Sequence, residues 1–476
     1  MRIPYAVPRN VFEAYKCSDE TMRLFSERDR TIRAEDEFWD EKNVTSLRVL
    51  ALSVIASTWK DNPILEELPT CEDRDMLMEI LPIDLPFKLV IKKIEDEQYW
   101  ERCSRNRWEH NNPADHGDSW RRLYCEGHLC EYLENLEPSY YESQQEKCEE
   151  TIQLVQNYVH TLVLRTLRPT KKRTKFFDDE DPCVVEEEPV HHIPFAIILP
   201  QLPHLTEIRI NFEVVYMNDG FEWRDFEFSV EDCMALGKGI EACPKLRKFI
   251  LSRSNLDQPR AAALLQGILG NHHIEEIDFS HCKLGDKGAY AIGEFLRVHK
   301  NLKTIHLANN DIGPEGVSGI INGLLKREDS ILKHLNLKLN PLLDDGVVHV
   351  CAYLLRKDSL EVLDLSACGI TADGGAALAE IFGSGSLSFE TFSLDVSNND
   401  FNETVGEAFE AAFESTPFII GFAARMCNFS EQSELSIYEN VLRNRKNRKK
   451  EEARRMILRQ MGKGHLKNDN DLLPST

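Results

Sequence analysis

The sequence predicts an α/β solenoid, with short parallel strands inside and helices outside, preceded by a mainly α-helical N-terminal domain. Three observations support this fold class. One apolar pattern returns seven times between Leu246 and Phe429. Each copy is followed by apolar residues at helical spacing, as expected for a strand and a helix that alternate along the chain. Residues 1–167 lack the pattern, but they hold five of the six tryptophans, which indicates a folded core.

The repeated pattern has the form L-x-x-L-x-L-x-x-N/C-x-L. Its clearest copy consists of Leu302, Ile305, Leu307, Asn310 and Ile312. Copies begin at residues 246, 274, 302, 332, 360, 391 and 419, so the period is 28 to 31 residues. A unit of this length and pattern is a leucine-rich repeat.

Each part of the unit has a physical role. Apolar residues two apart point to one face of a short strand, and the Asn or Cys side chain bonds backbone groups at the turn. Because one strand and one helix cannot bury themselves alone, we expect the units to stack around a parallel sheet. Seven strands would span about 30 Å, enough to hold a protein-sized partner.

One further strand is expected before the first complete unit, and a second is one of two alternatives. Residues 205–210 form an opening strand that precedes the next copy by 41 residues, so about 13 residues form an insertion. The aromatic and acidic segment Tyr216–Phe228 is the candidate. Residues 159–164 fit either the end of a helix that runs from Ser143 to about Leu167 or the strand of a degenerate first unit, and the sequence leaves both open.

Composition shifts divide the chain into four regions. We expect a helical N-terminal domain, a charged linker, the repeat solenoid, and a basic C-terminal tail that is partly helical, at residues 1–167, 168–193, 194–432 and 433–476. Within the first region, Thr45 or Ser46 is expected to cap one helix. A second helix is expected at residues 73–81, ended by Pro82.

Composition also limits the function. The net charge of −23 and the sequence pI of about 5.2 argue against a general nucleic-acid binder. No run of 18 apolar residues occurs, and the N-terminus MRIPYAVPRN lacks an apolar signal core. We therefore expect a soluble, intracellular protein that binds neither nucleic acid nor membrane. Reduced cysteines are expected, because three of the thirteen occupy buried repeat positions, namely Cys282, Cys368 and Cys427.

The sequence offers no catalytic constellation. It lacks a phosphate-binding loop, a G-x-S-x-G elbow, an H-E-x-x-H pair and a dinucleotide-binding glycine motif, so we expect neither enzymatic activity nor a cofactor. Six possible zinc ligands crowd together, but their spacings match no common zinc module, and His191 and His192 are equally weak candidates. We interpret the six as ordinary core and surface residues rather than a metal site: Cys103, His110, His116, Cys125, His128 and Cys130.

Two surfaces are candidates for protein binding. On the concave face, the side chains that flank the second leucine of each strand are acidic, small polar or basic, and lack aromatic anchors. They are Asp278, Ser280, His306, Asn336, Lys338, Asp364, Ser366, Asp395, Ser397 and Arg425. The alternative is a face that is merely solvated.

The basic tail is the second candidate. Its cations would contact an acidic polymer surface such as the exterior of a microtubule, while nuclear targeting and a solvated helix end are the alternatives. The residues are Arg443, Arg445, Lys446, Arg448, Lys449 and Lys450.

The 28-residue unit, with its glycine- and alanine-rich helix at residues 374–378, resembles the ribonuclease-inhibitor class of leucine-rich repeats. The N-terminal half adds DEFWDEKNVTSLRVLALSVIA at residues 36–56 and LPTCEDRDMLMEILPIDLPFKLVIKKIEDEQYWERC at residues 68–103. Joined to this repeat array, these segments resemble the T-complex-associated testis-expressed protein 1 family, the leucine-rich repeat subunit 5 of the nexin-dynein regulatory complex. The resemblance extends from about residue 36 to 430.

The resemblance implies a non-catalytic structural subunit of the linkers between neighbouring doublet microtubules, which helps to regulate dynein-driven ciliary and flagellar motility, including that of sperm. It implies a location in the cytoskeleton of the axoneme, and other subunits of the complex, doublet microtubules or dynein components as partners. It supplies no catalytic residue.

The alternative function is a leucine-rich repeat GTPase-activating protein for a small GTPase, with Arg253 near the nucleotide. Such activators typically carry an acidic tail, whereas this tail is basic. A soluble inhibitor like the ribonuclease-binding proteins would have a longer array and a more aromatic concave face.

Overall fold

The computed structural model describes residues 46–168, 191–211, 228–327 and 331–468, with side chains to residue 456. These residues belong to two compact units that divide after Asn111. Most of the predicted charged linker, the insertion before Phe228 and the end of the tail lie outside the described residues. The four predicted regions therefore stay predictions.

The described part of the first unit contains four helices: α1 Leu47–Thr58, α2 Cys71–Ile80, α3 Phe87–Lys93 and α4 Glu97–Arg107. Both helices predicted here are present. Helix α1 begins after Ser46, whose hydroxyl accepts a hydrogen bond from the Val49 N–H at 3.3 Å. Helix α2 begins after Thr70, whose hydroxyl accepts from the Asp73 N–H at 3.1 Å. These caps satisfy N–H groups that have no partner within the helix.

Helix α1 buries a different face from the one its spacing favours. Helical spacing predicts an apolar stripe of Leu47, Leu50, Ala51, Val54 and Ile55. Leu47 is nevertheless 83% exposed, whereas Leu52 and Ala56 are buried with Trp59. Because α1 is apolar on both faces, periodicity alone does not select the buried one. The indole N–H of Trp59 donates to the Ile64 carbonyl at 3.0 Å, which satisfies the one polar group of this buried side chain.

The second unit begins with a short 3-10 helix, Pro113–His116. It continues with helices α5 Trp120–Asn135, α6 Pro138–Ser143 and α7 Gln145–Val155, followed by strand β1 Thr161–Leu164. The helix expected from Ser143 to about Leu167 therefore ends at Val155. Of the two alternatives left open for residues 159–164, the strand is present. Its backbone pairs in parallel with the opening strand of the repeat array.

The repeat array alternates strands and helices, as the pattern predicts. The strands are β2 Glu207–Asn211, β3 Lys248–Ser252, β4 Glu276–Asp278, β5 Thr304–His306, β6 His334–Asn336, β7 Val362–Asp364, β8 Phe392–Asp395 and β9 Ile419–Ala423. The helices are α8 Phe195–Ile198, α9 Val230–Glu241, α10 Gln258–Ile268, α11 Gly285–Val298, α12 Pro314–Leu325, α13 Leu343–Leu354, α14 Ala372–Gly383, α15 Glu403–Glu414 and α16 Glu431–Asn468. All nine strands form one parallel sheet in chain order, and the predicted α/β solenoid is confirmed.

The Asn and Cys positions of the repeat bond the backbone at each turn. The Asn340 carboxamide oxygen accepts from the N–H groups of Asn310 and Ile312 at 2.8 and 3.1 Å. At the same position of an earlier unit, the Cys282 thiol donates to the Leu251 carbonyl at 3.1 Å. Burial raises the pKa of this thiol to about 12, so it keeps its proton and remains a donor.

Glycines let two neighbouring helices approach closely. Gly293 of α11 faces Gly319 and Gly323 of α12. A Cβ atom at Gly323 would lie 2.0 Å from the Gly293 carbonyl oxygen, far inside van der Waals contact. The short distance between these helices therefore depends on residues without side chains.

The first edge of the sheet is closed by acceptors on α5. Glu126, Cys130 and Glu134 follow one another at intervals of four residues, a rise of about 6 Å that matches two residues of a strand. Their side chains accept from the N–H groups of His160, Thr161, Val163 and Arg165, at 2.7, 2.9, 3.3 and 2.7 Å.

The last edge of the sheet is closed by donors on α16. The buried Asn444 carboxamide donates to the carbonyls of Thr416 and Ile419 at 2.9 and 3.0 Å. The guanidinium of Arg445 donates to the Ile420 carbonyl. Both edges therefore have side-chain partners for backbone groups that an additional strand would otherwise bind.

Candidate functional site

The predicted concave row is only partly accessible. Asp278, His306 and Asp364 lie half-buried on the open face of the sheet, and Lys338 and Arg425 are exposed. Two predicted contact residues are buried instead, because Ser366 and Ser397 are 2% and 6% exposed. The remaining predicted residues, Ser280, Asn336 and Asp395, are half-buried.

Local hydrogen bonds occupy polar groups of this row. The Asp364 carboxylate accepts from both the N–H and the hydroxyl of Ser366, at 2.9 and 2.6 Å. Asp278 and Asp395 accept the corresponding N–H groups of Ser280 and Ser397 at 2.8 and 2.9 Å. These pairs hold the turn after each strand, so the row offers a partner fewer polar groups than the sequence suggests.

A second row on the concave face was not predicted. It consists of the residues that directly precede the first leucine of each L-x-L pair: Glu207, Lys248, Glu276, Thr304, His334, Val362 and Ser393. Lys248 and Glu276 form an ion pair at 2.6 Å across neighbouring strands. The sequence could have predicted this row, because side chains two residues apart on a strand share a face. From Glu276 to Ser393, each member lies two residues before a member of the predicted concave row.

The basic tail divides into two groups. Arg445 contacts the last repeat through the Ile420 carbonyl, and Arg443 contacts the Glu414 carbonyl at the end of α15. The Arg448 guanidinium lies 2.5 Å from the Glu390 carboxylate, which precedes β8. Lys446, Lys449 and Lys450 are exposed on α16. Charge reversal at the three arginines would therefore disturb packing, whereas the three lysines are available to a partner.

An open groove of about 300 Å³ lies between β9 and α16. Phe422 and Ala424 of the last repeat form its floor, and Tyr438 and Leu442 of α16 form one wall. The positions of Phe422 and Ala424 are fully buried in the preceding repeat, where Leu394 and Val396 are 2% and 0% exposed. The groove exists because no further repeat covers these positions. One residue in the sequence indicates the groove: Ala424 stands at a repeat position where most units have leucine.

The remaining candidates do not converge on a chemical site. Within the described ranges, no three His, Cys, Asp or Glu side chains are close enough to bind a metal ion together. Of the residues considered for zinc, His116 contacts the Glu126 carboxylate and Cys125 is buried. Arg253, considered for a GTPase activator, is exposed at the turn after β3. No helix in the described part of the chain is long and apolar enough to cross a membrane.

Comparison with known proteins finds a family model and several proteins that are similar to this chain. The family model described as "Leucine Rich repeat" matches residues 270–293, 298–320 and 358–379. Dynein regulatory complex subunit 5 of Mus musculus is 32% identical over 268 residues, which cover 55% of this chain and 53% of the mouse protein. The protein of the same name in Chlamydomonas reinhardtii is 28% identical, covering 46% of this chain and 50% of the algal protein.

A ribonuclease inhibitor is also similar. The Sus scrofa protein is 28% identical over 178 residues, covering 31% of this chain and 39% of the inhibitor. The chain spans about half the length of the dynein regulatory complex relatives that it matches.

Proposed function

We propose that this chain, a leucine-rich repeat relative of dynein regulatory complex subunit 5, is a non-catalytic structural subunit of the axonemal nexin-dynein regulatory complex. In this role it helps to link neighbouring doublet microtubules and to regulate dynein-driven motility of cilia and flagella. The observation that carries the proposal is the similarity to subunits of this name in both Mus musculus and Chlamydomonas reinhardtii.

The geometry of the solenoid is compatible with a positional mechanism. Nine parallel strands at about 4.8 Å span about 38 Å of concave surface. The backbone of each repeat is hydrogen-bonded to the next, as in the bonds of Asn340 to the preceding turn. A body of this kind holds partners at a set separation and resists bending, which is what a linker under load requires.

Two surfaces are assigned to partners in this proposal. The exposed and half-buried concave side chains, such as Asp364 and Lys338, contact other subunits of the complex. The exposed Lys446 and Lys450 on α16 contact an acidic surface of the doublet or of a dynein component, because closely spaced cations are attracted to a high density of negative charge.

The test is retention of the tagged protein on isolated axonemes. We expect the protein to stay with the doublets after extraction with detergent and moderate salt, and its loss to alter the beat without abolishing cilia. Release into the soluble fraction would refute the structural role and make GTPase assays the next step.

A matched pair of variants tests the basic surface. Lys446→Glu with Lys450→Glu should release the protein at lower salt than wild type, because both side chains are exposed. Lys287→Glu with Lys326→Glu makes the same charge change at exposed positions elsewhere in the array and should not. Equal retention of the two variants would exclude a docking role for Lys446 and Lys450.

A further inference from the structure

We propose that the groove between β9 and α16 binds a short acidic segment of a partner protein, which inserts one large apolar side chain between Phe422 and Tyr438. We call this site the end groove, lined by Phe422, Ala424, Phe429, Tyr438 and Leu442 among others. The proposal concerns the purified chain and does not depend on the axonemal role.

The apolar part of the argument comes from the repeat itself. In the preceding unit, Leu394 and Val396 are covered completely. In the last unit, Phe422 and Ala424 are only half-buried, although the sheet presents them in the same register. Ala424 is smaller than the valine before it and leaves room above the sheet. An apolar side chain in the groove would therefore occupy the place of the missing next repeat.

The exposed ring of Tyr438 in the groove wall supports the binding of a partner side chain. Tyr438 is 61% exposed, although its ring lines an apolar groove. Tyrosine is enriched at binding surfaces because its ring buries a large area while its hydroxyl stays hydrogen-bonded. An inserted side chain would contact the ring of Tyr438 on one side and that of Phe422 on the other.

The positive charge of the groove favours acidic residues next to the inserted apolar residue of the partner. Arg425 lines the groove, is exposed, and has no ion-pair partner among the described residues. Arg445 also lines it and uses one N–H to bind the Ile420 carbonyl, which leaves further donors for a carboxylate. One acidic residue, Glu434, lies in the lining as well. Carboxylates of a partner would be attracted to the two arginines.

Helix geometry extends the positive side of the site. Tyr438, Leu442, Arg445 and Lys449 are spaced by four, three and four residues, so they share one face of α16. Lys449 is exposed at the end of this row. From residue 443 to 455 the helix carries eight basic and two acidic side chains in a chain of net charge −23. The order along the helix therefore matches an apolar residue followed by acidic ones.

Selection from a library of random short peptides displayed on phage, with the full chain as bait, tests the proposal. We expect enrichment of peptides that carry one large apolar residue next to Asp or Glu. The fluorescein-labelled consensus peptide should then bind in a fluorescence anisotropy titration. Replacement of its apolar residue by serine should weaken binding by about tenfold or more.

Variants of the chain separate the two halves of the site. Ala424→Phe fills the groove and should weaken binding of the consensus peptide by about tenfold. Lys449→Glu should weaken it by a factor that shrinks as salt is added, because exposed charges are screened. The matched control is Lys287→Glu, an equal charge change on the exposed side of α11, and it should bind like wild type.

Several results would overturn the proposal. They are the absence of enriched peptides, a consensus without acidic residues, and equal binding by Ala424→Phe and wild type. If Ala424→Phe does not fold, judged by its circular dichroism, then Ala424→Leu and the exposed Lys449→Glu decide the outcome. Binding that persists after the apolar residue of the peptide becomes serine would indicate charge attraction alone and would equally refute an apolar site.

Discussion

Replacement of Glu126 by glutamine should open the first edge of the sheet. Glu126 is 2% exposed, and its Oε1 atom accepts from the N–H groups of His160 and Thr161 at 2.7 and 2.9 Å. The same oxygen accepts from Arg122 Nε at 2.8 Å, and His116 contacts the other oxygen. Glutamine keeps the shape but loses the charge and replaces one acceptor oxygen by a donor.

The expected loss follows from the number of bonds that weaken. Hydrogen bonds to a charged group contribute about 1.5–3 kcal/mol each, compared with about 0.5–1.5 kcal/mol between neutral groups. Three bonds to Oε1, each weakened by about 1 kcal/mol, give a loss of about 3 kcal/mol in the free energy of unfolding. The partly buried Arg122 also loses its counter-ion, so this is the lower end of the expected range.

Urea unfolding of the full chain gives the free energy, and hydrogen exchange followed by mass spectrometry locates the change. We expect faster amide exchange at His160 and Thr161 in Glu126→Gln, while strand β5 keeps its protection. The matched control is Glu407→Gln, which removes the same charge from an exposed position on α15 and should leave both measurements unchanged.

At acidic pH, wild type and Glu126→Gln should no longer differ in their free energy of unfolding. Burial alone would raise the pKa of the Glu126 carboxyl, but hydrogen bonds from His116, Arg122 and two backbone amides hold its pKa below the ordinary value. A depressed carboxyl pKa stabilises the fold above the unfolded pKa, and this stabilisation is lost as pH falls through the folded value. The difference should therefore be constant from about pH 7 to about pH 5 and shrink at lower pH.

Two results would refute this reasoning about the edge. One is a variant whose unfolding free energy lies within about 0.5 kcal/mol of wild type, the range of ordinary surface substitutions. The other is unchanged protection of the His160 and Thr161 amides, since these groups lose their charged acceptor in the variant.

The remaining predictions concern a helix contact, a thiol and the last edge. Gly323→Ala should lower the free energy of unfolding by about 1–3 kcal/mol, whereas Gly383→Ala, whose added Cβ would lie 3.6 Å from its nearest neighbour, should melt near wild type. Native Cys282 should resist iodoacetamide at neutral pH while the exposed Cys71 reacts, and rapid labelling of Cys282 in mass spectra would contradict its buried donor role. Asn444→Ala should cost about 1–3 kcal/mol by leaving buried carbonyls unpaired and should speed exchange in the last repeat. The exposed Asn447→Ala is its control, and equal melting of these two variants would argue against the edge contact.

The repeat array could be predicted because its pattern contains both the two-residue spacing of a strand and the three- to four-residue spacing of a helix. Spacings of two and of three to four residues alternate every 28 to 31 residues, so strand and helix positions follow from counting. The Asn and Cys positions could be assigned for the same reason, since each must bond a turn of fixed geometry. The strand at residues 161–164 was harder to predict, because its apolar residues also fit a helix. Only the pairing of this segment with β2 distinguishes strand from helix.

Features that depend on contacts distant in sequence could not be predicted. The buried face of α1 is chosen by the core around Trp59, since both of its faces are apolar. The sequence does not distinguish the six basic residues between 443 and 450. In the structure Arg448 forms an ion pair with Glu390, whereas Lys449 is exposed to solvent. The end groove depends on the position at which the repeats stop and α16 begins, which composition does not report.

The closure of both sheet edges has a consequence for assembly. An open parallel edge offers unpaired N–H and C=O groups to another molecule, and head-to-tail addition of copies would generate filaments. Here acceptors of α5 bind N–H groups at one edge and donors of α16 bind carbonyls at the other, so a second copy finds fewer free backbone groups to pair with. These contacts disfavour head-to-tail growth of the sheet, and the number of repeats sets the length of the concave surface.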